Sequence, residues 1–229
     1  NENNLNTARD QLGGAGTQTS ALAFGGNPGG GATNATESYN GTNWTAVNNL
    51  NTSKQQLAGA GANNTAALAF GGGPGTSALT ETWNGTNWTE VNDLNTARKY
   101  LAGCGTSTAA LAFGGNGPSA LTELWNGTNW TEVNDLNTAR YELAGAGTNT
   151  AALAFGGNPN LAITELWNGT NWTEVNDLNT ARQKLAGCGT STAALAFGGQ
   201  PSTGATETWN GTNWTEVNDL NTARYAFGG

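Results

Sequence analysis

Glutamates recur at two equivalent positions along the chain, and paired carboxylates are what glycoside hydrolysis requires. One set comprises Glu37, Glu81, Glu123, Glu165 and Glu207, and the other comprises Glu90, Glu132, Glu174 and Glu216. A hydrolase needs an acid and a base in different surroundings, and a ring of identical glutamates offers no such asymmetry. We therefore predict that the glutamates form structural ion pairs with Arg98, Arg140 and Arg182. The spacing leaves open which glutamate meets which arginine.

The chain has two cysteines and no histidine, which limits its metal chemistry. Cys104 and Cys188 stand at a repeat position that is alanine at Ala15, Ala60 and Ala146. Two thiols without histidine do not make up a metal-ligand set, and copper sites need imidazole ligands. The sequence predicts no metal, no cofactor and no enzymatic activity, and it predicts that both thiols are small buried replacements for alanine.

The composition describes an acidic, strand-forming chain. Of 229 residues only 10% are charged, 35 are glycine and nine are tryptophan, and the net charge is −8. A protein of this charge repels phosphate backbones, so nucleic acid is not expected as a partner. No apolar run reaches the length of a membrane span, so we expect a soluble chain without membrane insertion. The cellular location stays open.

Internal repeats organise the sequence. The string Asn-Thr-Ala-Arg, or its variant Asn-Thr-Ser-Lys, occurs six times, each copy following a leucine. These leucines are Leu5, Leu50, Leu94, Leu136, Leu178 and Leu220, spaced 45, 44, 42, 42 and 42 residues apart. We call each copy of this string, with its leucine, a linker; the six linkers separate and flank five repeat units. We predict one domain over 1–229, with units at about 9–53, 54–97, 98–139, 140–181 and 182–224.

Each unit contains four short strand patterns, illustrated by the unit at 140–181. Runs of small apolar residues at 143–147 and 151–155 precede alternating polar and apolar residues at 164–167 and 172–175. Asn168-Gly169, between the last two patterns, is a strong hairpin signal. Four such strands in about 42 residues are typical of a propeller blade. The predicted fold is all-β, a five-bladed β-propeller with four antiparallel strands per blade, labelled a to d from the axis outwards.

The repeat resembles that of the kelch family. A Gly-Gly pair closes strand b in every unit, at Gly25-Gly26, Gly71-Gly72, Gly114-Gly115, Gly156-Gly157 and Gly198-Gly199. Strand c carries an aromatic residue, namely Tyr39, Trp83, Trp125, Trp167 and Trp209. Strand d carries Trp44, Trp88, Trp130, Trp172 and Trp214. The resemblance implies a kelch-type propeller, although this unit is shorter than a kelch repeat of about 50 residues.

Two further readings attach to these repeats. The aromatic pairs suit either a sugar-stacking platform or the packing between blades, and we predict packing because large aromatics recur where repeat faces meet. The wording Asn-Gly-Thr-Asn-Trp-Thr-Glu-Val-Asn-Asp-Leu-Asn-Thr-Ala-Arg is similar to repeat tracts in structural proteins of marine bacteriophages. That similarity implies a virion-associated context.

The units differ from one another at two places. One is the b–c loop, at 27–35, 73–79, 116–121, 158–163 and 200–205. The other is the pair of residues that directly follows the arginine or lysine at the end of each linker. In a blade both places lie on the same face of the disc, here called the variable face, and binding sites are commonly built by such loop variation on a constant scaffold. The predicted ligand contacts are the charged and aromatic pairs of blades 3 to 5, namely Lys99, Tyr100, Tyr141, Glu142, Gln183 and Lys184.

Two functions fit this pattern. The first is a non-catalytic binding module that recognises a glycan or a surface receptor through the variable face. The second is a structural repeat protein, amplified or engineered for symmetry, with no ligand of its own. Because the linker is present at both ends, we also predict that one terminal copy, 1–8 or 219–224, is displaced or pairs at an edge, where it offers a route to self-association.

Overall fold

The computed structural model describes residues 3–201 and 204–225. Every regular element in this part of the chain is a β-strand, and the twenty strands form five four-stranded sheets arranged in a ring. The predicted five-bladed β-propeller is confirmed. In each sheet the strands follow chain order and run antiparallel, so that every blade is built from one contiguous segment. Residues 226–229, whose sequence Ala-Phe-Gly-Gly repeats the end of the strand b pattern, lie outside the described residues.

The strands are short and nearly equal in length from blade to blade. Blade 1 consists of β1 (Gly13–Thr17), β2 (Ser20–Phe24), β3 (Thr36–Tyr39) and β4 (Trp44–Val47); blade 2 of β5 (Ala58–Asn63), β6 (Ala66–Phe70), β7 (Thr80–Trp83) and β8 (Trp88–Val91); blade 3 of β9 (Ala102–Thr106), β10 (Ala109–Phe113), β11 (Thr122–Trp125) and β12 (Trp130–Val133); blade 4 of β13 (Ala144–Gly147), β14 (Ala152–Phe155), β15 (Thr164–Trp167) and β16 (Trp172–Val175); and blade 5 of β17 (Ala186–Thr190), β18 (Ala193–Phe197), β19 (Thr206–Trp209) and β20 (Trp214–Val217).

The turns follow from local side-chain chemistry. In the c–d turn of blade 2, Asn84 Oδ1 accepts hydrogen bonds from the backbone N–H groups of Thr86 and Asn87, each at 2.9 Å. Gly85 has a φ of +91°, which glycine adopts without strain. Trp83 pairs directly with Trp88, so the loop has four residues, not the two of a minimal Asn-Gly turn.

The core lies between the blades and not within one sheet. Between blades 2 and 3, Phe70 of strand b packs against Trp130 of strand d, with ring centroids 4.9 Å apart. The Trp130 indole N–H also donates to Thr80 Oγ1 of the preceding blade at 3.1 Å. Because a buried indole N–H needs a partner, this bond fixes the ring as well as satisfying it. The prediction that the tryptophans pack between blades is confirmed at the four interfaces that follow blades 1 to 4.

Each linker inside the ring holds two blades at once. In the linker at 176–182, the N–H of Leu178 donates to Ala162 O of blade 4 at 3.0 Å. The Arg182 guanidinium of the same linker lies 3.1 Å from Glu207 of blade 5. One short segment therefore joins the end of one blade to the face of the next.

Between blades 5 and 1, here called the seam, these two roles are divided between two segments. The first linker, 3–9, binds blade 1, since Asn3 Nδ2 donates to Thr42 O at 3.0 Å and Arg9 pairs with Glu37. Of the two terminal copies named in the prediction, the described part of 1–8 is therefore not the displaced one.

The last linker, 218–224, is also in its regular place, but against blade 5. The Leu220 N–H donates to Gly204 O at 2.9 Å, and the Gly199 N–H donates to Arg224 O at 3.0 Å. The same backbone bonds end the linkers inside the ring. The seam thus holds two segments where every other junction holds one.

The seam is wider than the other junctions. The inner strands of neighbouring blades lie side by side from blade 1 to blade 5, but β17 and β1 do not make comparable contact. A cavity of about 680 Å³ lies between them, lined by Trp44, Cys188 and the two linker arginines, Arg9 and Arg224. Among the described residues Trp44 does not form the indole bond that the other four strand d tryptophans make to the preceding blade.

Among the described residues, no neighbouring blade covers the seam side of blade 5. Leu195 is 39% exposed, whereas Leu111, at the same position in blade 3, is completely buried. The prediction that both thiols are buried is right for Cys104 and wrong for Cys188, which is exposed. The reason is the position of Cys188 in the ring, because the blade face that would cover it stands across the open seam.

Candidate functional site

The strand c glutamates, Glu37 and its four equivalents, form structural ion pairs as predicted, and the structure identifies their partners. Each of them pairs with the linker cation at the start of its own blade, through Arg9–Glu37, Lys54–Glu81, Arg98–Glu123, Arg140–Glu165 and Arg182–Glu207. Backbone N–H groups of the linker donate to the same carboxylates, as Asn137 does to Glu165 at 2.7 Å. The glutamates of the second set lie opposite these on strand d and are solvent-exposed.

Burial of these pairs changes the acidity of the cations. Desolvation lowers the pKa of Arg140 and of Lys54, and the partner carboxylate opposes this shift without cancelling it. Lys54 is the one lysine in the set, and its Nζ lies 3.6 Å from Glu81, a longer separation than in the arginine pairs. These carboxylates therefore join each linker to its blade. The residues that vary between blades lie on the variable face.

The structure brings both variable segments to one face, as predicted. Lys99 N donates to Asn116 Oδ1 of the b–c loop at 3.0 Å, and Asn116 N donates to Lys99 O at 2.9 Å. Reciprocal backbone hydrogen bonds join Gln183 to Gln200 and Asp10 to Asn27 at the equivalent positions. The first residue of each variable pair therefore holds the b–c loop of its own blade through hydrogen bonds.

The second residue of each pair lies at the mouth of the central channel. These five residues, here called the mouth ring, are Gln11, Gln56, Tyr100, Glu142 and Lys184. All five have φ between 53° and 58°, the left-handed region that residues other than glycine rarely occupy. Such a conformation costs on the order of 1–2 kcal/mol per residue. Backbone strain is often found where ligands are held, so five equivalent strained residues around one opening make it the candidate site.

Backbone hydrogen bonds fix the mouth ring from blade to blade. The N–H of Tyr100 donates to Gln56 O at 2.9 Å, and the N–H of Glu142 donates to Tyr100 O at 2.9 Å. Equivalent bonds join Gln11 to Gln56 and Glu142 to Lys184, both at 2.8 Å. The five side chains surround a cavity of about 120 Å³, with a leucine of each blade below them.

The mouth ring offers chemically different groups around this cavity. Gln56 Nε2 donates to Gln11 Oε1 at 2.7 Å. Lys184 Nζ lies 3.8 Å from Glu142 Oε1, and the Lys184 side chain is 30% exposed. Burial raises the pKa of Glu142, while Lys184 acts against this shift. Burial, with the nearby Glu142 charge as a smaller cause, also raises the pKa of Tyr100.

The six predicted contacts divide into two groups. Tyr100, Glu142 and Lys184 belong to the mouth ring. The other three lie beside it: Lys99 Nζ stands 5.6 Å from the centre of the Tyr100 ring, the Tyr141 ring is 6.2 Å from Tyr100, and Gln183 Oε1 accepts a hydrogen bond from Asn158.

Sequence reasoning missed Gln11 and Gln56 as members of the mouth ring. Blades 1 and 2 carry neither aromatic nor cationic residues at the variable pair, so the sequence pattern did not single them out. The signal that could identify Gln11 and Gln56 is that they occupy the same repeat position as Tyr100. A second depression of the variable face, of about 520 Å³, lies between the b–c loops of blades 1 and 2 and is lined by Ser53, Pro74 and Ser77 among others.

The distribution of lysine and arginine side chains also supports the variable face as the candidate binding surface. The chain has eight lysines and arginines, all within the described residues, and five of them are buried against glutamate. The other three are Lys99, Lys184 and Arg224, which lie at or beside the variable face. In a chain of net charge −8, the cations that are not buried against glutamate thus lie on or beside this face, with Lys184 at the mouth itself.

No protein-family model matches the chain, and a search of curated proteins finds no match either. Within residues 3–201 and 204–225 no group of three or more histidine, cysteine, aspartate or glutamate side chains is placed to hold a metal ion. The same part of the chain has no helix long and apolar enough to cross a membrane.

Proposed function

We propose that this propeller is a non-catalytic binding module whose ligand enters the mouth of the central channel on the variable face. The observation that supports it is the mouth ring, in which five residues adopt a costly left-handed conformation and present five side chains to one cavity. A purely structural ring has no need of this cost, since glycine at the same positions would remove it.

The chemistry of the mouth favours a saccharide end. Tyr100 supplies a flat apolar surface with a hydroxyl group, and Gln11, Gln56, Glu142 and Lys184 supply hydrogen-bond donors and acceptors around the same cavity. Sugar hydroxyls require such mixed partners. A small, open site of this kind binds weakly, with a Kd on the order of 10⁻³–10⁻⁵ M, or roughly −4 to −7 kcal/mol.

The proposal includes a kelch-type origin and a place on a virion or another biological surface. The Gly-Gly pair at the end of strand b and the aromatic residues of strands c and d support the first. The similarity of the repeat wording to phage structural tracts supports the second.

The experiment uses a substitution at one residue, Tyr100, that is expected to change binding and stability in opposite directions. Tyr100→Gly removes the aromatic surface and relieves the backbone strain, so we expect binding on a glycan array to disappear while the protein becomes more stable by about 1 kcal/mol. Tyr141→Ala, outside the ring, is expected to weaken binding without raising the melting temperature. The control is Thr150→Ala on the opposite face, where the side chain is exposed.

The structural alternative is favoured by one observation: residues 101–115 and 185–199 have the same sequence, which indicates recent amplification. It predicts a protein that binds no glycan and in which Tyr100→Gly only stabilises. Glycan binding that survives Tyr100→Gly would instead place the ligand elsewhere.

A further inference from the structure

The seam presents two linkers of the same chemistry beside a single binding surface on blade 1. That surface, here called the socket, consists of the Glu37 carboxylate, the carbonyl groups of Thr42 and Trp44, and the Asn43 side chain. Inside the ring, each equivalent surface is filled by the linker that leaves the preceding blade. On blade 1 it is filled by 3–9, which leaves no described blade.

The linker at 3–9 uses three side chains to hold the socket. Asn3 Nδ2 donates to Thr42 O and to Asn43 Oδ1. Asn6 Nδ2 donates to Trp44 O at 3.0 Å, and the Asn6 N–H donates to Glu37 at 2.7 Å. Arg9 pairs with Glu37, and its side chain is fully buried.

The linker at 218–224 carries the same three groups, and within the described part of the chain none of them bonds to the socket. Asn218, Asn221 and Arg224 are exposed, and among the described residues the Arg224 side chain bonds only to the carbonyl group of Thr222 in its own linker, at 3.4 Å. Arg224 nevertheless lines the same cavity as Arg9 and Trp44. The second set of contacts therefore lies beside the socket that it matches.

Both linkers also bury their leucine incompletely. Leu5 and Leu220 are half-buried, whereas the leucine of every linker inside the ring is at most 4% exposed. A full set of linker contacts needs both neighbouring blades, and each linker at the seam has only one.

We propose that the socket of blade 1 is an exchangeable peptide-binding site, and that the linker at 218–224 of the same chain competes with 3–9 for it. When 218–224 occupies the socket, one segment joins blades 5 and 1 as at the other four junctions, and the seam closes. When 3–9 occupies it, the seam is open, as described above. The two states differ in which of two chemically equivalent segments is bound, so small changes in either segment shift their populations.

The two cysteines supply the measurement. Cys104 lies in blade 3 against blade 4 and its Sγ is 3.7 Å from Thr148 O, and burial raises its pKa to about 12. Cys188 has the same sequence around it but faces the open seam. Closure covers Cys188 as blade 4 covers Cys104, so the rate of maleimide labelling of Cys188 reports the seam, with Cys104 as the unreactive control.

The test weakens one linker at a time through exposed residues, which leaves folding intact. Asn3→Ala/Asn6→Ala removes the side-chain bonds of 3–9 and is expected to slow the labelling of Cys188 by about tenfold, because 218–224 takes the socket. Asn218→Ala/Asn221→Ala, the matched variant, is expected to leave labelling as fast as in the unmodified chain. Combining the two pairs of substitutions should restore fast labelling.

A second pair of variants tests the arginines. Arg9→Ala should be tolerated, because Arg224 can replace the lost partner of Glu37, whereas Arg140→Ala has no such substitute and should lower the melting temperature strongly. The proposal is overturned if Asn3→Ala/Asn6→Ala labels Cys188 as fast as the unmodified chain, or if Arg9→Ala loses as much stability as Arg140→Ala. It is also overturned if slow labelling appears only together with a dimer or larger species in light scattering, since that places 218–224 on a second copy. Loss of glycan binding has no bearing on these outcomes.

Discussion

Tryptophan at the strand d position is packed against the preceding blade in four junctions and is less buried at the seam. Trp130 is 5% exposed, contacts Phe70 and donates its indole N–H to Thr80. Trp44 keeps the contact with the strand c aromatic of its own blade, Tyr39, with ring centroids 5.1 Å apart, as Trp130 does with Trp125 at 5.4 Å. It is only half-buried, however, and among the described residues it lacks the indole bond to a preceding blade. One residue type at one repeat position thus experiences two environments.

We expect Trp130→Ala to cost about 3–5 kcal/mol, since it removes a large core side chain and leaves a buried hydroxyl without its donor. That is a large part of the ~5–15 kcal/mol expected for a whole domain. Trp44→Ala should cost clearly less, because its side chain is only partly withdrawn from water. Urea denaturation followed by circular dichroism measures both, and equal losses for the two variants would contradict this account of the seam.

The packing of strand a, like that of the strand d tryptophans, depends on the neighbouring blade. Its central glycine approaches the phenylalanine of the preceding blade so closely that a Cβ atom on Gly103 would lie 2.4 Å from the Phe70 ring and 3.2 Å from Gly59 O. The equivalent atom on Gly187 would lie 2.3 Å from Phe155. Small residues in strand a therefore set how near the inner strands come to one another.

Gly103→Ala is expected to destabilise the protein by about 1–3 kcal/mol, because the added methyl group overpacks a junction that has no free space. Gly30→Ala in the b–c loop of blade 1 is the matched control, since a Cβ atom there meets nothing within 4 Å. Thermal unfolding of the two variants compares them directly. A Gly103→Ala protein that melts with the unmodified chain would mean that blades 2 and 3 can move apart at no cost.

The elements themselves could be predicted from the sequence because each carries its own signal. Alternating residues define strands c and d, the Gly-Gly pair ends strand b, and Asn-Gly marks the c–d turn, although the loop there has four residues. The variable face followed from strand connectivity alone. The left-handed backbone of the mouth ring did not, since glutamine, tyrosine, glutamate and lysine carry no local signal for positive φ and tertiary bonds impose it.

The whole ring decides what no single repeat can. Residues 101–115 and 185–199 are identical in sequence, yet Leu111 is completely buried and Leu195 is 39% exposed. No reading of local pattern could separate Cys104 from Cys188, because their difference arises from the neighbouring blade. The duplicated linker predicts an irregular junction between the ends of the chain, but which linker binds which blade depends on the contacts of both linkers at once.

Those identical segments allow a final prediction about the whole molecule. Intrinsic amide exchange rates depend on local sequence, so β9 and β10 must have the same intrinsic rates as β17 and β18, and any difference reports the free energy of opening. Blade 3 is covered on both sides, whereas blade 5 is covered on one. We expect amides of β17 and β18 to exchange faster by about tenfold or more, as befits a region with fewer buried contacts. Mass spectrometry can separate the two segments through peptides that include Tyr100 or Lys184. Equal protection in the unmodified chain would mean that the seam is closed in solution. In Asn3→Ala/Asn6→Ala, equal protection is the expected result, because an exchanged linker gives blade 5 the neighbour that blade 3 already has.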